Sequence, residues 1–230
     1  YLHQNNFIEY DKGLAKFLVL CIRAIAPNLI CVANSDIFSK YALVLPPLWL
    51  RCEQGSADSN VRSKTIIMCG RADKIKRFQE AIDWFEKSTL KDRNFEMKLF
   101  TDLPEKYSAT NSSVKIFLFN KVEYFECMKE SKYGLLPSKT EAMPLTTLEA
   151  LGAGCISFGF YCAQGQRFVL ETSIYNSTFS DMNFADIERE ILKIEDDSDL
   201  YSASVYWSTK REEKLFNQSI KIWQNLHLNL

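Results

Sequence analysis

Two glutamates, Glu141 and Glu149, stand eight positions apart in the stretch YGLLPSKTEAMPLTTLEALGAG. Carboxylates so placed, one in a polar loop and one on the helix behind it, can accept hydrogen bonds from the hydroxyls of a sugar or a ribose. The residues between them supply the other half of such a site. An apolar strand at Leu135 and Leu136 stops at Pro137, and a polar loop carries Glu141. Pro144 fits the first helical position, where its missing N–H costs nothing. The amides of Met143, Leu145 and Thr146 then lie at the first turn, free to meet phosphate or sugar oxygens. Ser138 and Thr140 add hydroxyls, though such residues in loops mostly shape turns. Gly152 and Gly154 read as structural, ending the helix and letting the next strand approach.

Further upstream, CGRADKIKRFQEAI at 69–82 places Arg71, Lys74, Lys76 and Arg77 just after a strand that ends at Gly70. A basic residue after a strand and another at a helix start can clamp a diphosphate from two sides. Arginine donates two hydrogen bonds from a planar fork, and lysine acts as a compact point charge. Taken alone, the cluster reads more simply as a solvated basic helix start, and that reading stays with Lys74 and Arg77.

Positioning these groups requires strands and helices in alternation. TIIMCG (65–70), FEMKLF (95–100) and VKIFLF (114–119) read as strands. Phe78, Ala81, Ile82 and Phe85 recur at helical spacing within an amphipathic helix over 75–88. Residues 122–131, 164–171, 184–194 and the tail from Lys210 to Leu226 read as further helices, with a weaker strand at 173–176. Such alternation predicts a Rossmann-like α/β domain, a parallel sheet with helices on both faces. The first fifty residues differ, with a helix at 11–26 and strand-like runs at 29–35 and 42–48. A linker follows at Gln54–Asn60.

Composition narrows the classes. At 230 residues with 47% hydrophobic and 25% charged residues, the chain has the make-up of a soluble globular protein. A net charge of −1 provides no basic field and argues against nucleic acid as the main partner. Seven cysteines without a CxxC pair read as buried free thiols in a reducing compartment, with neither a disulfide framework nor a zinc site. The longest apolar run, FLVLCI at 17–22, falls far short of the ~20 residues that span a bilayer.

The string PSKTEAMPLTTLEALGAG, with Glu141 and Glu149 separated by seven residues, resembles the donor-binding signature of retaining family-4 glycosyltransferases of the GT-B fold. Gly70, Arg71 and Lys76 match the family's G-R-x4-K pattern. The resemblance implies that Arg71 and Lys76 hold the diphosphate of a nucleotide sugar and support charge on the departing nucleotide. It implies that Glu141 faces the donor sugar's hydroxyls and that Glu149 accepts from the ribose. Gly70, Met143, Leu145 and Thr146 would complete the donor site, with no metal and no other cofactor. ICVANSDIFSKY and VLPPL resemble the end of the family's N-terminal domain and the crossing out of it, and the tail resembles the family's terminal helix.

The implied organisation is a partial acceptor-side domain at 1–54, a nucleotide-sugar-binding domain at 55–209, and a helix at 210–230 packing back toward the N-terminal region. On this reading the chain is a fragment lacking the first half of the N-terminal domain. His3 is a candidate for the histidine that faces the donor from that domain. The implied partners are a nucleotide-sugar donor and a glycan or lipid-linked acceptor. The implied location is cytoplasmic, and peripheral membrane contact through the absent N-terminal part is compatible with it. One departure stands out: GFYCAQGQRF, at 159–168, replaces a glycine-rich loop common in the family, and Gln164 and Arg167 there face the ligand or the missing domain. A catalytically inactive binding module therefore remains the alternative. A nicotinamide-dependent Rossmann enzyme is disfavoured, since GRADKIKR follows the first strand where G-x-G-x-x-G would be required.

Overall fold

The computed structural model describes residues 61–141, 144–160, 169–170 and 183–227, together with short strands at 32–33, 43–44 and 178–179. Strands β1 (Val32–Ala33) and β2 (Leu43–Val44) form a parallel pair inside the two runs expected to be extended. The helix at 11–26, the linker, His3, Met143, Gln164, Arg167 and the strand at 173–176 lie outside the described residues, as does most of the 164–171 helix.

Six parallel strands make the main sheet: β3 (Ser63–Cys69), β4 (Glu96–Thr101), β5 (Val114–Leu118), β6 (Ser131–Leu136), β7 (Ile156–Phe160) and β8 (Thr178–Phe179). Their order is β5-β4-β3-β6-β7-β8. The helices are α1 (Phe78–Lys87), α2 (Lys121–Glu130), α3 (Leu145–Gly152), α4 (Phe184–Glu195) and α5 (Ser198–His227). From β3 the chain steps outward through β4 to β5, then returns to place β6 on the other flank of β3. The strand order thus reverses between β3 and β6, the switch point beside which open α/β sheets bind ligands, at the carboxyl ends of their strands.

Both sheet faces are covered, which explains why β3 reads as an apolar run without alternation and why every residue of β6 is buried. Along β3, Ile66 and Met68 point to one side and Ile67 and Cys69 to the other. The first pair packs with Phe78, Ile82 and Phe85 of α1 and with Ile187 and Ile191 of α4. The second packs with Tyr124 and Met128 of α2 and Ala150 of α3. At ~1.5–3 kcal/mol for each large side chain fully buried, these two layers carry most of the stabilisation.

Arg62 ties two helix ends together beneath the sheet. Its guanidinium, on a residue 4% exposed, donates to the carbonyls of Met128 and Lys129 at the end of α2 and of Ala153 and Gly154 beyond α3. One cation thereby meets the negative ends of two helix dipoles. The end of α3 is a Schellman turn, with Gly154 at φ 86, Cys155 N–H donating to Ala150 and Gly154 N–H to Leu151. Gly152 serves a close approach, since a Cβ there would meet Glu212 of α5 at 3.3 Å.

Three elements depart from expectation. The helix expected over 75–88 is a 3-10 turn (Lys74–Lys76) followed by α1, because Arg77 adopts φ 55 between them. The strand expected at Leu135–Leu136 extends over all of Ser131–Leu136, its polar half buried with the rest. The tail helix begins at Ser198, well before Lys210, and runs for 30 residues. Its opening DLYSASVYWST is rich in serine and bulky side chains, which favour helix weakly. Tyr201 and Val205 are buried in the main core, and that packing makes the stretch helical despite its composition, while Ser202, Ser204 and Ser208 place their hydroxyls on carbonyls one turn back. Among the described residues no helix is long and apolar enough to cross a membrane.

Candidate functional site

Two loops meet at the switch point. After β3, Gly70 N–H still donates to Phe100 of β4 at 3.1 Å, and the chain then turns sharply. Asp102, just past β4, accepts from Ala72 N–H at 2.6 Å, and Asp73 caps the 3-10 turn by accepting from Ile75 N–H at 3.0 Å. The loop after β6 is fastened to this turn: Lys139 N–H donates to the Ile75 carbonyl at 2.9 Å.

That fastening brings Lys76 and Glu141, 65 residues apart in sequence, into a direct ion pair in which Lys76 Nζ donates to Glu141 Oε1. Their side chains are only 15% and 7% exposed, so water screens the pair weakly. Gly70 stands behind it, where a Cβ would meet Phe78 Cζ at 3.1 Å and Lys76 Cε at 3.6 Å. Arg71 is exposed at the rim of the same turn.

The sequence reading misjudged Arg77, which is buried, not solvated. Its guanidinium forms an ion pair with Glu80 and lies 5.6 Å from the centres of the Phe160 and Phe184 rings. It staples the turn to β7 and α4. Lys74 is exposed, as expected.

Across the crevice, α3 starts at Leu145 with Pro144 as its N-cap, so the helix begins one position later than the sequence suggested. Pro144 accepts from Thr147 and Leu148 N–H at 3.1 Å each. The amides of Leu145 and Thr146, at the first two helical positions, have no intrahelical acceptor, and Leu145 is 36% exposed. Thr146 and Thr147 line a small cavity under this turn with Cys69, Leu136 and Tyr124. Ser138 is fully buried and Thr140 half-buried.

Glu149 sits on the α2-facing side of α3. Burial pushes its carboxyl up to about 7, opposed by the Lys121 charge and a hydrogen bond from Tyr124. The Cys69 thiol beside it is pushed up to about 12, by burial first and then by the Glu149 charge. A thiol so disfavoured from ionising is a packing group and a poor nucleophile. The site therefore combines Lys76, Arg71 and open amides, which suit an anion, with Glu141 and Glu149, which suit hydroxyls. Sequence reasoning missed Asp102, Lys121 and Tyr124. Only Asp102 carried a signal, as an acidic residue directly after a strand.

No protein-family model and no curated protein matches this chain. Solved structures do match it. S. aureus TarM, in a structure with fondaparinux, alpha-GlcNAc-glycerol and UDP, superposes with a TM-score of 0.72 at 14% identity. That match covers 97% of this chain and 48% of TarM. The fold is a glycosyltransferase fold. The pneumococcal O-GlcNAc transferase GtfA, with UDP and GlcNAc, gives a TM-score of 0.56 at 14% identity over 84% of this chain and 42% of its own. The C-terminal domain of a group 1 glycosyl transferase, LpcC from Francisella tularensis, gives 0.54 at 16% identity over 68% of this chain and 88% of its own. The chain thus spans about half the length of the TarM and GtfA chains it matches.

Proposed function

We propose that this chain is the donor-binding part of a retaining GT-B glycosyltransferase, which moves a sugar from a nucleoside diphosphate to a glycan or lipid-linked acceptor. The observation that carries the reading is the meeting of Lys76 and Glu141 at the switch point, opposite the open first turn of α3. UDP in the TarM and GtfA structures gives a precedent for the ligand class.

In this reading the diphosphate rests between Arg71 and Lys76 on one side and the amides of Met143, Leu145 and Thr146 on the other, with Gly70 leaving room behind. Lys76 can keep Glu141 and still reach a phosphate oxygen, because an ammonium has three donors. Catalysis is positioning plus electrostatic support of the departing diphosphate, for which a single preorganised donor is worth ~10²–10³ in rate. Glu141 orients the sugar and Glu149 accepts from the ribose, with no metal required. Residues 1–54 would belong to the acceptor side, with the tail helix packing back toward them. The enzyme would work in the cytoplasm, at or near a membrane surface if the acceptor is lipid-linked.

A thermal-melt screen with UDP, GDP and ADP tests the reading, since a ligand of the native state raises the melting temperature. One of the three should raise it at millimolar concentration, and Arg71→Ala and Glu149→Ala should each reduce the shift. No shift with any of them contradicts it. A non-catalytic binding module is the second reading, favoured by Cys162, Gln164 and Gln166 in the sequence GFYCAQGQRF, where many family members carry glycines. Nucleotide-sugar binding without release of the sugar in the presence of acceptor would select it.

A further inference from the structure

The turn that carries Arg71 is held by a side chain from the neighbouring strand. Asp102, one position past β4, accepts from the Ala72 N–H at 2.6 Å through Oδ1. The carbonyl of the same peptide unit, that of Arg71, accepts from the Asp73 N–H at 2.8 Å in a three-residue turn. Both polar ends of the planar Arg71–Ala72 peptide are therefore fixed, and with them the backbone from which the Arg71 side chain departs. The carboxylate is itself oriented. Thr101, fully buried, places its hydroxyl 3.3 Å from the same Asp102 oxygen. Lys106 Nζ stands 3.5 Å from the Ala72 carbonyl. Tyr107 packs edge-on to Phe78, the first residue of α1, with ring centres 5.9 Å apart. Residues 102–107 thus brace both the turn and the helix start that follows it.

Charge alone gives no reason for this residue. The Asp102 carboxyl is held below the usual carboxylate range, first by the Ala72 amide and then, against burial, by its own amide, the Thr101 hydroxyl and the Lys106 charge. An ionised carboxylate beside an anion seat repels the ligand, so its use there lies in the hydrogen bond it accepts. We propose that Asp102 is a positioning residue of the donor site: it fixes the Arg71–Ala72 peptide and so aims the Arg71 guanidinium at the diphosphate. The inference rests on the donor-site reading above. An arginine whose backbone is already fixed loses less freedom when it closes on a phosphate.

The experiment has two arms on the full chain. Asp102→Ala removes the acceptor, whereas Asp102→Asn keeps an acceptor oxygen and removes the charge. First, NMR relaxation of the backbone amides reads the turn without ligand. The Arg71 and Ala72 amides should show rigid order parameters of about 0.85 in wild type and Asp102→Asn, and fall toward about 0.6 in Asp102→Ala. Unchanged values in Asp102→Ala overturn the proposal, as does an equal fall in Asp102→Asn. Second, calorimetry measures the binding of UDP, GDP and ADP. The tightest of the three should lose about fivefold in affinity in Asp102→Ala and nothing in Asp102→Asn, and Arg71→Ala should bind it equally with and without Asp102→Ala. Tighter binding in Asp102→Ala, the result expected of a carboxylate that only repels the ligand, overturns the proposal. So does an undiminished loss in the Arg71→Ala background, because Asp102 would then act without Arg71. A wild type that binds none of the three contradicts the donor reading, and the relaxation arm still decides whether Asp102 fixes the Arg71 turn.

Discussion

At the scale of single residues, the site is two carboxylates in different electrical settings. Glu141 is neutralised by Lys76 at close range, whereas Glu149 is buried with weaker compensation. The Glu149 carboxyl is raised from 4.5 to about 7, so the native state binds its proton more tightly than the unfolded chain does. Its stabilising contribution is complete below pH 4.5 and is lost as pH rises through about 7. Glu149→Gln should therefore flatten the pH dependence of stability in that window. Above neutrality it should gain on the order of 2–3 kcal/mol over wild type, read from urea melts at several pH values. The Lys76–Glu141 pair gives a contrasting test. Lys76→Met leaves a buried carboxylate without its cation and should cost about 2–4 kcal/mol, and adding Glu141→Gln should restore more than half of that. Additive losses in denaturant melts would show that the two side chains do not support each other. The residue types of this site were legible in the sequence, but the ion pair and the Tyr124 contact were not. Both join segments far apart in the chain, and no local pattern encodes such a meeting.

At the scale of elements, periodicity identified those held by an apolar stripe. The spacing of Phe78, Ala81, Ile82 and Phe85 marked α1, and Ile187, Ile191 and Ile194 mark α4. Elements that depend on tertiary partners were misread. The helix break at Arg77 involves a left-handed residue paired with Glu80 and packed on two rings, and the first turns of α5 are held by Tyr201 and Val205 in the main core. Arg62 gave no signal of its role, since a lone arginine before an apolar run looks like surface. Arg62→Met should cost about 2–4 kcal/mol in denaturant melts, because four carbonyls at two helix ends lose their donor. Gly154→Ala should cost about 1–2 kcal/mol by forcing a side chain onto φ 86. A wild-type midpoint in either variant would remove the corresponding joint from the structure's supports.

At the scale of the whole molecule, alternation of strands and helices predicted the parallel sheet and its two-sided cover. It did not give the strand order, which depends on where the connection from β5 to β6 crosses. That crossing makes the switch point, and the switch point joins the turn after β3 to the loop after β6. Crystallographic location of a bound nucleoside diphosphate tests this most directly. The diphosphate should lie between Lys76 with Arg71 and the first turn of α3, with the ribose hydroxyls on Glu149. A diphosphate seated anywhere else, with Lys76 and Glu141 untouched, would contradict the donor site at the β3–β6 crevice.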